Sequence, residues 1–144
     1  MKLFEENYKK KQFIFTYIVF ICNGMLALSI GSLMPLISDA RGLDYKTCGI
    51  LVSLHSVGNF ISSFFAGALA EKIGRKRSIL IFNSFFALSY LIILLSGNIP
   101  LLVMAFLMTG LARGATSNFC NTVINNLAPG KAGLINGLHA MFSV

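Results

Sequence analysis

The amino-acid sequence predicts an all-α membrane protein with four transmembrane helices and the start of a fifth. Hydrophobic residues make up 56% of the 144 residues and charged residues only 12%, which is too apolar for an ordinary soluble domain. Four apolar runs of about 18 to 25 residues follow one another, and each is long enough to cross a hydrocarbon core about 30 Å thick. The lipid bilayer is therefore the first partner that the sequence implies.

The first run covers residues 13–37 and follows Lys9, Lys10 and Lys11. It is longer than the apolar segment of a cleavable signal peptide, so we expect a permanent anchor. This span should end near Pro35, because a residue without an N–H is tolerated close to a helix end or kink. The other predicted spans are residues 48–70, 78–95 and 101–124, with an incomplete fifth span at 133–144.

The fifth run opens at Gly133 and stops at Val144. Its length of about 12 residues corresponds to roughly 18 Å of helix, which is too short to cross a bilayer. A chain end inside the hydrocarbon would leave backbone carbonyl groups without hydrogen bonds, each at a cost of several kcal/mol. The chain is therefore expected to be the front of a longer protein.

The distribution of Lys and Arg predicts the orientation of the spans. The N-terminal segment, the loop after the second span and the loop after the fourth carry nine of these residues, whereas the loops on the other side carry only Arg41 and Lys46. Cytoplasmic loops carry the excess of Lys and Arg, so we expect a multi-pass protein of the cell membrane, plasma or inner, with a cytoplasmic N-terminus. The net charge of +7 belongs to this topology, and no nucleic acid partner is expected.

No residue pattern indicates an enzyme, a cofactor or a metal site. The sequence contains no Gly-x-Ser-x-Gly, no phosphate-binding loop, no His-Glu-x-x-His and no paired carboxylates. Cys22, Cys48 and Cys120 have no Cys-x-x-Cys spacing, so they are interpreted as small buried hydrophobic residues. No catalytic residue is therefore assigned.

The most distinctive motif is the loop between the second and third spans, Gly67-Ala-Leu-Ala-Glu-Lys-Ile-Gly-Arg-Lys-Arg77. Gly67 would let a neighbouring helix approach closely, and Gly74 would let the backbone reverse in a very short loop. Glu71 offers a carboxylate to Arg75 or to a helix N-terminus elsewhere in the protein. The charge bias of cytoplasmic loops explains the basic residues, but it requires neither the glycines nor the acid.

This loop resembles the signature of the major facilitator superfamily, usually Gly-x-Leu-Ala-Asp-Arg-x-Gly-Arg-Lys, with Glu in place of Asp and Lys in place of Arg. The resemblance implies a twelve-helix major facilitator fold, of which residues 1–144 would form part of the N-terminal six-helix half. It also implies that the loop is a conformational latch against the missing C-terminal half of the same protein. The latch residues would be Gly67, Glu71, Gly74, Arg75 and Lys76.

A second resemblance concerns the fifth helix. The segment Leu134-Ile-Asn-Gly-Leu-His-Ala140 is similar to the opening of this helix in the fucose permease-like group of sugar transporters. In the fourth span Asn121 fits the frame of that group, while Ser117 stands where the group has an acid. The resemblance implies a sugar substrate and adds Asn136 and His139 to the candidate ligands, although the four spans contain no Asp or Glu for proton coupling.

Arg113 is the one Lys or Arg in the middle of a predicted span. A charged group at the bilayer centre costs at least about 2.5 to 3.5 kcal/mol and normally faces a wet cavity or a partner. At about 100° per residue, Gly110, Gly114, Ser117 and Asn121 form one small polar stripe beside it. Substrate contact and structural or gating pairing both remain open for Arg113. The candidate substrate-binding residues are Arg113, Ser117, Asn118, Asn121, Asn23, Asn136 and His139.

These observations predict a secondary transporter that moves a small-molecule substrate by alternating access, with its site near the membrane midplane. A sugar is the first expected substrate, from the fifth-helix resemblance. The alternatives are a drug or metabolite efflux transporter of the same fold, and a four-helix membrane adaptor that does not transport. A coupling proton is a further candidate partner. His55 could bind it, or could instead be a neutral, hydrogen-bonded imidazole.

Overall fold

The computed structural model describes residues 2–130 together with Gly133, Gly137 and Ala140, with side chains from Glu6 onward. Four long helices joined by short connections are each long and apolar enough to cross a membrane, by length and composition. This confirms the prediction of an all-α chain with four spans. The helices are α1 Lys2–Arg41, α2 Tyr45–Ile73, α3 Arg75–Leu95 and α4 Ile99–Leu127. The predicted fifth span lies mostly outside the described residues.

Helix α1 is longer than the apolar run that predicted it. It continues through Pro35 and ends at Arg41, because a proline removes only one backbone donor and need not end a helix. Ser38 organises the turn that follows: its carbonyl accepts from the Leu43 N–H at 3.0 Å, and its hydroxyl donates to the Leu43 carbonyl at 2.9 Å. Gly42, at φ +61, then turns the chain toward α2.

Gly74 alone separates α2 from α3. Its φ of +90 is a backbone conformation that residues with a side chain rarely adopt. The Gly74 N–H donates to the Ala70 carbonyl at 3.0 Å, and the Gly74 carbonyl accepts from the Ser78 N–H at 3.1 Å. This glycine therefore ends one helix and begins the next, in the very short reversal that the loop motif predicts.

Helix α4 is the centre of the bundle and packs against α1, α2 and α3. In its most apolar window 50% of the residues are buried, against 22% in α3, so α3 leaves most of its apolar surface for lipid. Buried side chains form three clusters along α4: one with α1 and α2, one with α1, and one with α2 and α3. Members are Ile30, Leu51 and Phe106 in the first, Phe20 and Ile124 in the second, and Ala66, Phe82 and Phe119 in the third.

Helices α2 and α4 approach each other until their backbones touch. A Cβ atom built on Gly110 would overlap the carbonyl oxygen of His55, and one built on Gly114 would overlap the carbonyl oxygen of Asn59. Gly58 on α2 has no room for a side chain against α4 either. Small residues permit such close approach between membrane helices. The glycines that the sequence places on a polar stripe of α4 thus pack against α2.

Candidate substrate site and candidate latch

Arg113 lies on α4 at the point where this helix meets both α1 and α2. Its guanidinium Nη1 is 3.4 Å from Nε2 of His55 on α2. Its backbone carbonyl accepts a hydrogen bond from Nδ2 of Asn23 on α1, also at 3.4 Å. The side chain is partly buried. An ionisable group inside a membrane bundle is expected to face protein or water and not lipid, and these contacts agree with that expectation.

His55 and Thr109 extend this contact into a directed chain of hydrogen bonds. The Thr109 hydroxyl donates to the Phe106 carbonyl at 2.6 Å, so this oxygen, which carries one proton, must accept from Nδ1 of His55 at 2.9 Å. At the other end Arg113 can only donate, so Nε2 of His55 must accept. Both ends of the chain therefore require the same neutral imidazole, with its proton on Nδ1.

Two buried amide oxygens, one on α1 and one on α4, have no hydrogen-bond partner among the described residues. They are Oδ1 of Asn23 and Oδ1 of Asn121, and Asn23 is only 2% exposed. A buried acceptor left unpaired costs about 1–3 kcal/mol, so a donor group on a ligand would relieve that cost. Asn23 lies against the backbone of Arg113, whereas Asn121 lies about 12 Å from Arg113 along α4.

Asn118 ties α4 to α2. Its Nδ2 donates to the Ser63 carbonyl at 2.9 Å, and its backbone carbonyl accepts from the Thr122 hydroxyl at 2.9 Å. The sequence predicts Asn118 as a substrate ligand or as a link between helices. In this structure the amide makes an interhelical hydrogen bond.

Of the three remaining candidate ligands, the structure describes only Ser117. Ser117 is partly buried on α4, one helical turn from both Arg113 and Asn121, and so lies on the predicted stripe. Asn136 and His139 lie outside the described residues, and their roles stay predictions. Within the described part of the chain, no group of three or more His, Cys, Asp or Glu side chains could hold a metal ion.

The predicted latch residues lie at or near the connection between α2 and α3. Glu71, Arg75 and Lys76 are exposed, and the described side chains form no ion pair with Glu71. A Cβ atom built on Gly67 would have no atom of the described residues within 4 Å. The close helix approach expected at this glycine is therefore not made by any described helix.

A cavity of about 510 Å³ joins the latch to the second half of α4. It brings Glu71 and Arg75 together with Asn118, which the sequence assigns to a different site. The predicted latch residues and one candidate ligand on α4, Asn118, thus line the same cavity. The cavity is lined by Gly67, Ala70, Glu71, Arg75, Asn118, Phe119 and Thr122.

Thr109 is a member of the candidate site that sequence reasoning missed. It stands four residues before Arg113, so helical spacing could have shown that both lie on one side of α4. Their shared contact with His55 depends on the register between α2 and α4. No local sequence pattern contains that register.

Arg41 was also missed, because its charge counted only toward the orientation of the spans. Its Nη2 donates to the carbonyl oxygens of Ile93 and Leu94 at 3.1 and 2.8 Å. A basic side chain that bonds the last carbonyls of a helix satisfies groups that have no intrahelical partner. Nearby, the Tyr90 hydroxyl donates to the Leu26 carbonyl at 2.6 Å, so α1 is tied to α3 at this end of the bundle.

Comparisons with known proteins identify relatives of this chain. Residues 16–144 match the family model described as the Major Facilitator Superfamily. The chain is 30% identical over 133 residues to the glucose transporter GlcP of Staphylococcus epidermidis, covering 85% of this chain and 30% of that protein. It is 28% identical over 116 residues to a gallate transporter of Pseudomonas putida, covering 81% of this chain and 26% of that protein. It is 26% identical over 116 residues to an arabinose-proton symporter of Bacillus subtilis, covering 80% and 25%. The chain thus spans less than a third of the length of these relatives.

Proposed function

Because the chain belongs to the major facilitator superfamily, we propose that it forms the N-terminal part of a secondary transporter that moves a small solute, with a sugar as the expected substrate, by alternating access. The chain is part of a multi-pass membrane protein, and its relatives are named as transporters and not as enzymes. The proposed substrate site lies where α1, α2 and α4 meet.

The observation that carries this proposal is the buried Oδ1 of Asn23, which lies beside Arg113 and has no hydrogen-bond partner among the described residues. A sugar hydroxyl both donates and accepts hydrogen bonds. It can donate to this oxygen while a neighbouring sugar oxygen accepts from the guanidinium. An unmet acceptor on a residue that contacts the backbone of Arg113, whose side chain is a strong donor, therefore matches a polyol better than an apolar solute.

The names of the relatives support a sugar and suggest one alternative. Two of them are a glucose transporter and an arabinose-proton symporter, and the fifth-helix resemblance, which stays a prediction, favours the same class. An organic acid is the second candidate, because one relative is a gallate transporter and a guanidinium binds carboxylates with two parallel hydrogen bonds. The four apolar runs contain Arg113 but no Asp or Glu.

The latch and the orientation belong to the same proposal. The N-terminus and the loop 71–77 are placed in the cytoplasm at the cell membrane, because nine Lys and Arg residues lie on that side. The exposed Glu71 and Arg75, beside a cavity of about 510 Å³, support a latch that closes on the C-terminal half of the protein. The proposed latch residues are Gly67, Glu71, Gly74, Arg75 and Lys76.

Uptake by the protein encoded by the whole reading frame, reconstituted in proteoliposomes, tests the proposal. Radiolabelled glucose, arabinose and gallate are compared with and without an inward proton gradient. We expect saturable uptake of one sugar, and a larger uptake with the gradient would identify the coupling proton. Saturable uptake of gallate alone would favour the organic acid.

A matched pair of variants tests the site. Asn23→Ala removes the unmet acceptor and should weaken binding of the transported sugar about tenfold, the equivalent of one neutral hydrogen bond of about 1.4 kcal/mol. Asn126→Ala, at an exposed position near the end of α4, is the control and should bind as the wild type does. Equal binding by the two variants, or no saturable uptake of any of the three solutes, would contradict the proposal.

A further inference from the structure

The hydrogen-bond chain from Arg113 through His55 to Thr109 contains one atom that is open to exchange, Nε2 of the imidazole. Nδ1 is held by Thr109 at 2.9 Å, whereas Nε2 meets Arg113 at 3.4 Å, which is the weaker of the two contacts. We propose that Nε2 of His55 is a proton-binding site at which a proton and the guanidinium of Arg113 compete. Only the consequence of this inference for transport rests on the proposed function.

Protonation of Nε2 reverses the hydrogen-bonding role of this atom. The proton comes from water, adds to the lone pair and breaks no covalent bond, so the pair of His55 and Arg113 goes from one positive charge to two. An imidazolium has a donor on each nitrogen and no acceptor. Two cations 3.4 Å apart in a partly buried site also repel each other. The guanidinium must therefore leave Nε2 when the proton binds.

The charged and titratable groups around His55 indicate that Arg113 is the group that competes with the proton. On α4 the charged group in contact with the ring is Arg113, and on α1 the nearby Asn23 is uncharged. On α3 the titratable Tyr90 is bonded to α1. All five Asp and Glu residues lie outside the four apolar runs. Among the described residues, proton binding at Nε2 thus depends on Arg113 more than on any other charge.

The side chain of Arg113, and not its helix, must take up the movement. Gly110 and Gly114 hold α4 against the backbone of α2, so the two helices cannot rearrange without breaking that contact. Arg113 has a long, flexible side chain and is only partly buried. It can turn away from α2 toward the side where Asn23 of α1 lies. In a transporter, proton binding at His55 would in this way release the guanidinium to the solute.

NMR of the histidine ring nitrogens tests this proposal, because their signals report tautomer and protonation directly. The chain is prepared in lipid nanodiscs with isotope-labelled histidine. It has two histidines, so His139→Gln identifies the signals of His55. We expect the Nδ1–H tautomer above neutral pH. In Arg113→Gln, which removes the competing cation, His55 should bind its proton more readily than in the wild type.

Two further variants keep the test independent of folding defects. Arg77→Gln, at an exposed position in α3, should leave the titration of His55 unchanged. Thr109→Val keeps the side-chain shape but removes the acceptor for Nδ1, so part of the signal should move to the Nε2–H tautomer. Thr109→Ser should restore the wild-type tautomer.

Two results would overturn the proposal: an Nε2–H tautomer in the wild type, or the same titration of His55 in Arg113→Gln and Arg77→Gln. Neither readout needs a transported solute. Failure of the proposed function would be seen separately, as absent uptake by proteoliposomes in which the NMR results still hold.

Discussion

Helix α2 is held in two different ways along its length. From His55 to Ser62 it touches the backbone of α4, and these two residues are only 4% and 1% exposed. From Gly67 to its end at Ile73 it has no fully buried residue, and Glu71 borders a cavity of about 510 Å³. The same helix therefore contributes one segment to a tightly packed interface and another to an open, charged surface.

This difference separates the residues that maintain the fold from those available for conformational change. Backbone contact between α2 and α4 leaves no space for an added atom, so substitutions there should lower the free energy of unfolding. Exposed charges contribute only about 0–1 kcal/mol to stability, so substitutions at the loop should change contacts with the rest of the protein. Substitutions in the two segments should thus change different properties of the protein, and by different amounts.

The largest effect is expected at Gly110. Gly110→Ala places a Cβ atom against the carbonyl oxygen of His55, and only a separation of α2 from α4 can relieve the overlap. Overpacking of this kind costs about 1–3 kcal/mol, measured as a lower free energy of unfolding when the purified chain is titrated with denaturing detergent.

Gly67→Ala is the matched control from the open segment. A Cβ atom there has no atom of the described residues within 4 Å. This substitution should be neutral or should stabilise the helix by up to about 1 kcal/mol, because Ala has the higher helix propensity. Equal destabilisation by Gly110→Ala and Gly67→Ala would contradict the contrast between the two segments.

A smaller loss is expected at Asn118, which faces α2 where its two segments meet. Asn118→Ala removes the hydrogen bond to the Ser63 carbonyl at 2.9 Å, and interhelical hydrogen bonds in membrane proteins contribute about 0.6 kcal/mol on average. The same detergent titration measures the loss, with the exposed Asn126→Ala as control. If Asn118→Ala keeps full stability while solute binding by the intact protein falls, Asn118 is a ligand and not a tie between helices.

Glu71→Gln should leave the free energy of unfolding unchanged within about 0.5 kcal/mol, because the side chain is exposed. In the intact protein the proposed latch predicts that this substitution shifts the balance between inward-facing and outward-facing states, measured as the labelling rate of a cysteine engineered into the loop 71–77. Glu6→Gln, exposed on α1, is the control. Unchanged labelling would count against the latch, and a stability loss as large as that of Gly110→Ala would remove the difference between the segments.

The four spans could be predicted because the length of an apolar run reflects the thickness of the bilayer. The limits of α1 could not, because polar residues outside the hydrocarbon can continue a helix and Pro35 interrupts only one hydrogen bond. The reversal at Gly74 was predictable, since glycine is the residue that adopts a φ of +90 without strain.

Contacts of Arg113 with polar groups of the protein could be predicted because a charge in an apolar run is costly and needs a polar surrounding. Its partners could not be predicted, because Thr109 and His55 meet only in the register that the glycine contacts impose on α2 and α4. The sequence left the role of Gly110 ambiguous for a related reason. A small residue beside polar ones is typical of a cavity wall and of a close helix contact, and here it makes the contact.

The start of α2 is a third segment, held by a local cap, and the smallest effect is expected there. The Asp44 carboxylate accepts from the Thr47 N–H at 3.0 Å, and hydrogen bonds from the side chain and backbone of Thr47 lower the pKa of Asp44 below its ordinary value. With a lowered pKa in the folded state, the contribution to stability is complete above the ordinary value and is lost as the pH falls through the folded one. The thermal unfolding midpoint of the wild type should therefore decline slightly below about pH 4.

Asp44→Asn tests whether the cap causes this decline, because it keeps an oxygen acceptor for the Thr47 N–H but cannot titrate. Its unfolding midpoint should lose the slight decline that the wild type shows in acid. Asp39→Asn, exposed in the last turn of α1, keeps Asp44 intact and should retain the decline. Equal acid profiles for the two variants would assign the acid sensitivity to a carboxylate other than Asp44, and α2 would then be held by its contact with α4 and not by its cap.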